Sequence, residues 1–129
     1  MTDNRPIVEG FLDALADGRT AEATALLADD VTWRNTGLPT VRGHRVHAML
    51  AEMEQRGIDF AVEMNHIAQT DDGIVLTDRW DVLGWRALRS RFWVCGTFTL
   101  ADGLITDWHD HFATANVLKG LALGIAGAR

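Results

Sequence analysis

In the stretch LTDRWDVLGW, residues 76–85, Arg79 and Asp81 stand two positions apart in an otherwise apolar run. Alternation along a strand sends every second side chain to one face, so the two charges look out together beside Val75, Thr77 and Leu83. The stretch LITDWHDHF, residues 104–112, poses the same question. There Asp110 falls among Leu104, Trp108 and Phe112 on one face, while Asp107, His109 and His111 make a wetter one. An ionised carboxylate is rarely buried unless paired, because desolvation costs several kcal/mol. If both strands faced one cavity, Arg79 could bridge Asp81 and Asp110 and satisfy both. The same pattern fits an ion-pair cluster of purely structural use, or an Arg79–Asp81 face turned to water.

Other constellations carry less. Asp107, His109 and His111 have a spacing that some strand metal sites use, but they lie opposite Asp110 with no further ligand placed nearby, so no metal is expected. His44 and His47 read as a solvated helix edge. Cys95 is the only cysteine, which rules out an internal disulfide, fits a reducing compartment and, without a local His or acid, reads as packing. No Gly-rich phosphate loop or Gly-x-Ser-x-Gly elbow occurs. A formal charge of −6 with no basic stripe argues against a nucleic-acid partner. The acid-dotted start MTDNRPIVEGFLDALADG is no signal peptide, and no apolar run nears the ~20 residues of a membrane span. A cytoplasmic protein without membrane contact is the expectation.

The elements that must position these charges come in two blocks. PIVEGFLDALADG sets Ile7, Phe11, Leu12 and Leu15 at helical spacing, with Pro6 in the first turn and Gly18 at the stop. TAEATALLADD reads as a second helix capped by Thr20, and a third runs from about His44 to Arg56, with Val46, Met49, Leu50 and Met53 on one face. Between them VTWRNTGLPTVRG reads as a short strand and an irregular loop. From Ile58 the period becomes two: IDFAVEMNHI, then about Ile74 to Leu83, RFWVCGTFTL and LITDWHDHFAT, with TDDG and ADG as hairpin signals. These four form an antiparallel meander. The tail VLKGLALGIAGAR is apolar and Gly-rich, suited to a packing helix or an oligomer contact. At 129 residues, 47% hydrophobic and 23% charged, the whole of 1–129 is expected to be one domain. Helices followed by consecutive strands indicate an α+β fold, helices covering one face of a curved, mainly antiparallel sheet around an apolar pocket.

VTWRNTGLPTVRG, VLTDRWDVL and GLITDWHDHF together resemble the limonene-1,2-epoxide hydrolase family, a branch of the nuclear transport factor 2-like superfamily. That family carries Tyr-x-Asn and a Pro-containing loop, then Arg-x-Asp-Val-Leu, then Gly-x-Ile-x-x-Trp-x-Asp-aromatic-Phe. The likeness covers roughly residues 25–115. It implies a cone-shaped fold, a homodimer, no cofactor, and a hydrophobic small-molecule epoxide as substrate. It also implies a site: Asp110 as base, Asp81 as acid, Arg79 bridging both, and Asn35 holding the attacking water. Leu83, Val94 and Phe112 fall on the pocket wall by face and family position. Trp33 stands where the family has tyrosine, in a chain with no Tyr at all. An indole offers one N–H and no acceptor, so water activation would rest on Asn35 and Asp110. His111 takes the place of the usual aromatic and Ala113 that of an aspartate. Trp80, Trp85, Trp93 and Trp108 are expected in the core or pocket wall.

Three readings follow. The first is a cofactor-independent epoxide hydrolase adding water in one step. The second is an epoxide-opening cyclase or isomerase of the same fold, which the loss of tyrosine would suit. The third is a non-catalytic small-molecule binding module.

Overall fold

A computed structural model describes residues 2–113, together with 117 and 119. Apart from Val117 and Lys119, the apolar tail lies outside the described residues.

Helix α1 (Arg5–Ala16) begins with Pro6 in its first turn and buries Val8, Phe11, Leu12 and Ala14. The missing N–H of proline is harmless at a position where no helical acceptor exists. Helix α2 is only Thr20–Thr24, and its N-cap is Arg19 with no side-chain capping bond. The expected longer helix capped by Thr20 is therefore not formed. Leu27–Asn35 is instead strand β1, drawn into the sheet where Leu26 O accepts from Ile105 N at 2.8 Å. Strand pairing overrides a weak local helical preference here. After the two-residue strand β2 (Val41–Arg42), helix α3 runs His44–Gln55 and buries Val46 and Leu50.

The meander follows as β3 (Ile58–Gln69), β4 (Val75–Trp85), β5 (Leu88–Ala101) and β6 (Leu104–His111). Among the described residues the sheet has six strands in the order β2-β1-β6-β5-β4-β3, curved and unclosed. The meander pairs are antiparallel, and β1 lies parallel to β6. The helices cover one face, where α1 and α3 pack on Val31, Val75, Phe98, Ile105 and Trp108. Phe11 meets the Trp108 ring edge-on, 5.0 Å between centroids and 83° between planes.

Besides a register shift between Leu27 and Thr32 of β1, two bulges in the meander change which side chains face inward. On β6, Thr99 pairs with Asp107 but Leu100 pairs with Ile105, so Thr106 is an extra residue. Ile105 is consequently fully buried and Leu104 is 37% exposed, the reverse of strict alternation from Asp110. On β3, Asn65 is the extra residue, and Ile67 rather than His66 packs on the core.

Candidate active site

Three register pairings assemble the site. Thr77 of β4 opposes Gly96 of β5, Gly96 opposes Asp110 of β6, and Asp110 lies beside Asn35 of β1. These residues form one row across the sheet. Arg79 and Asp81 stand further along the same face of β4, where the pleat turns Val75, Thr77, Arg79 and Asp81 inward and leaves Leu76 and Asp78 outside.

Arg79 has no exposed surface, and Asp81 and Asp110 retain only 4% and 6% of theirs. The guanidinium ties the cluster together. Nε donates to Asp81 Oδ1 at 2.8 Å, and Nη2 donates to Asp81 Oδ2 at 3.1 Å and to Asp110 Oδ2 at 2.9 Å. Nη1 donates to Thr77 Oγ1 at 2.8 Å. A planar fork with fixed donors suits this two-carboxyl bridge in a way a lysine ammonium does not.

Burial dominates the proton affinities. It pushes the Asp81 carboxyl up to about 6, against the opposing pull of the Arg79 charge and hydrogen bonds. Burial also raises Asp110, with Arg79 again in opposition and Trp108 and His109 adding smaller downward pulls. Burial works against the Arg79 charge too, but both carboxylates outweigh it and hold the guanidinium above its ordinary range. Two carboxylates and one guanidinium sum to −1, so the neutral form of this dry cluster carries one proton shared by the pair.

The carboxyls open onto a cavity of about 350 Å³ whose lining is mostly apolar. Leu83, Val94, Phe112 and Trp33 line it, as does Asn35. Exposed Leu38 and Asp59 mark its open end, and the buried carboxyls its deep end. Trp33 stacks on Trp108 with centroids 4.3 Å apart, and both indole Nε1 atoms are buried without a hydrogen-bond partner among the described residues. The pattern reading missed Phe92 of β5 and the Met49 and Met53 side of α3 as wall. Phe92 shares the parity of Val94, and the methionines belong to the apolar stripe of α3, so the signal was present. Thr77 and Gly96 were not singled out as site residues, although a glycine inside a strand pattern marks close approach.

The remaining tryptophans correct the expectation. Trp80 and Trp93 oppose each other on the outer face, where Trp93 is 44% exposed and donates to Asp78. Trp85 sits at the exposed β4–β5 hairpin with Arg86 stacked on it. Even positions of β4 and odd positions of β5 point away from the cavity, and the hairpin end lies beyond it. Also on the outer face, His109 and His111 touch ring to ring, Asp107 pairs with Arg34 at 2.7 Å, and no metal-holding group of three or more ligands occurs among the described residues. Burial raises the Cys95 thiol, which keeps it protonated and a poor nucleophile.

A limonene-1,2-epoxide hydrolase catalytic-domain family model matches residues 2–123. Epoxide hydrolase EphG of Mycobacterium tuberculosis is 40% identical over 118 residues, covering 92% of this chain and 78% of that protein. The solved structure of an M. tuberculosis LEH-like epoxide hydrolase superposes with a TM-score of 0.90 at 37% identity, over 96% of this chain and 92% of that one. An NTF2-like protein of unknown function from Burkholderia pseudomallei matches at 15% identity with a TM-score of 0.75, over 94% and 98% of the two chains, and speaks to the fold alone.

Proposed function

We propose, from the premise that the chain belongs to the limonene-1,2-epoxide hydrolase family, that it adds water to a hydrophobic small-molecule epoxide in one step. The observation that carries this reading is the pair of buried carboxyls bridged by one guanidinium at the deep end of an apolar cavity. Water sits between Asn35 and Asp110; Asp110 removes its proton as the oxygen attacks an epoxide carbon. Asp81 gives its proton to the epoxide oxygen as the ring opens, and Arg79 keeps the two carboxyls in place. Epoxide opening needs both events, since the leaving group is an alkoxide and water is a weak nucleophile. An apolar ligand filling the cavity strips the last water from Asp81 and raises its proton affinity further, which arms the acid. The pair ends each cycle holding as many protons as it began with, moved from acid to base. Trp33 acts as wall, stacked on Trp108 along the cavity lining.

The same reading takes 1–129 as one domain that works without a cofactor, as a cytoplasmic homodimer. Trp80, Trp93, Leu76 and Val82 give the sheet an apolar outer face, of which Trp93 and Leu76 are well exposed, and a second copy is the partner proposed for it.

The test is incubation with limonene, cyclohexene and styrene oxides in ¹⁸O-water. A diol carrying one label is expected from at least one of them, and Asp81→Asn or Asp110→Asn should each lower the rate at least ~10³-fold while the protein still melts cooperatively. A product of unchanged mass would replace hydrolysis by cyclisation or isomerisation. Full activity in either variant would remove the role assigned to that carboxyl.

A further inference from the structure

Arg79 reaches from β4 to β6 across β5, and Gly96 is the residue it passes. A Cβ on Gly96 would lie 2.4 Å from Arg79 Nη1, 2.6 Å from Thr77 Oγ1 and 3.0 Å from Asp110 Oδ1. Any side chain there would expel the arrangement. Its absence lets three polar atoms from two strands converge on one point.

Of the three, Thr77 Oγ1 already accepts from Nη1 at 2.8 Å. That bond uses a lone pair and leaves the hydroxyl proton free to rotate toward an acceptor. Asp110 Oδ2 is bonded to Nη2, whereas Asp110 Oδ1 is buried with no hydrogen-bond partner among the described residues, the Thr77 hydroxyl as placed included. A buried carboxylate oxygen without a donor is costly, and the costs of ionised groups are the largest.

We infer that Thr77 is a positioning residue for the acid–base pair: oriented by Arg79 and given room by Gly96, its hydroxyl donates to Asp110 Oδ1 when that carboxyl is ionised. Among the described residues Asp81 receives no comparable neutral donor, both its oxygens being held by Arg79. The hydroxyl therefore tips the shared negative charge toward Asp110, leaving the shared proton on Asp81. This inference rests on the reading of Asp110 as base. Among the other groups around Asp110, the Trp108 indole and His109 pull its proton affinity down as well, so Thr77 adds to them. Arg79 serves both carboxyls, Glu54 of α3 and Asp59 of β3 lie toward the exposed side of the cavity, Asn35 of β1 is neutral, and β5 presents Gly96. His109 sits on the opposite face of β6, and both it and Trp108 remain in every variant below, so neither accounts for a change on replacing Thr77.

The experiment compares kcat–pH profiles and melting temperatures of the wild type, Thr77→Val, Thr77→Ser and Asp110→Asn on the epoxide turned over best. Thr77→Val keeps the shape and removes the hydroxyl. It is expected to lower kcat about tenfold with KM little changed, and to move the acid limb of the profile up by about one pH unit, the effect of losing one hydrogen bond to a charged group. Thr77→Ser should restore both. A purely structural threonine would lower the melting temperature and leave the limb in place. An unmoved limb in Thr77→Val, or one that stays displaced in Thr77→Ser, overturns the role of Thr77. Activity surviving in Asp110→Asn overturns the base assignment itself. An inactive Asp110→Asn beside an unmoved Thr77→Val limb overturns the role of Thr77 alone.

Discussion

Arg79 and Asp81 show how a buried charge becomes useful at the scale of single residues. A lone carboxylate at that depth would simply take up a proton, and a lone guanidinium would be hard to accommodate. Bound together they stay in place, but Asp81 is held to a value of about 6 rather than 3.8. The folded state thus favours the protonated form, so its stabilising share is complete below about pH 4 and is lost as the pH rises through about 6. Asp110 shifts in the same direction. The wild type should lose roughly 1.4 kcal/mol for each pH unit separating the two values of Asp81 as it crosses that window. In Asp81→Asn that loss should shrink to the share of Asp110, measured by urea unfolding at pH 4, 6 and 8. A slope unchanged by the substitution would mean that Asp81 does not carry this linkage. The residue types and their i, i+2 spacing were readable from the chain, because a charge on an apolar strand face demands a partner. Asp110 could be offered as the partner because it too falls on an apolar strand face, but the contact itself depends on the register of strands 31 positions apart.

At the scale of elements, periodicity located α1, α3 and all four meander strands, since each alternates against a single apolar layer. It failed at α2 and at the two bulges for one reason. The helical reading of TAEATALLADD was cut short by pairing with β6, and the extra residues Asn65 and Thr106 exist only because two strands of unequal local length must stay in register. The β6 bulge has a measurable consequence. Ile105→Ala should cost about 2–5 kcal/mol in denaturant unfolding, while Leu104→Ala should cost less than about 1 kcal/mol. Similar values for the two would contradict the shifted register. Between bulge and site the pairing of Trp108 with Phe98 and of Asp110 with Gly96 restores the alternation that delivers the base to the cavity.

At the scale of the whole molecule, the curved sheet gives one face to the helices and cavity and leaves Trp93 and Leu76 bare on the other. If a second copy covers that face, Trp93→Glu should turn a dimer into a monomer in sedimentation equilibrium without abolishing hydrolysis. A wild-type monomer would remove the proposed partner. By itself the sequence determined the α+β class, the order of the elements, and which side chains could exchange protons, because hydrophobic period and residue chemistry are local properties. It carried the site residues chiefly through motifs shared with a family. Only the tertiary structure decided that Arg79 passes over Gly96 to Asp110, that Trp80 and Trp93 face away from the cavity, and that Ile105 replaces Leu104 in the core. Each of those depends on strand register, which is set jointly by residues far apart in the chain and therefore has no local signature.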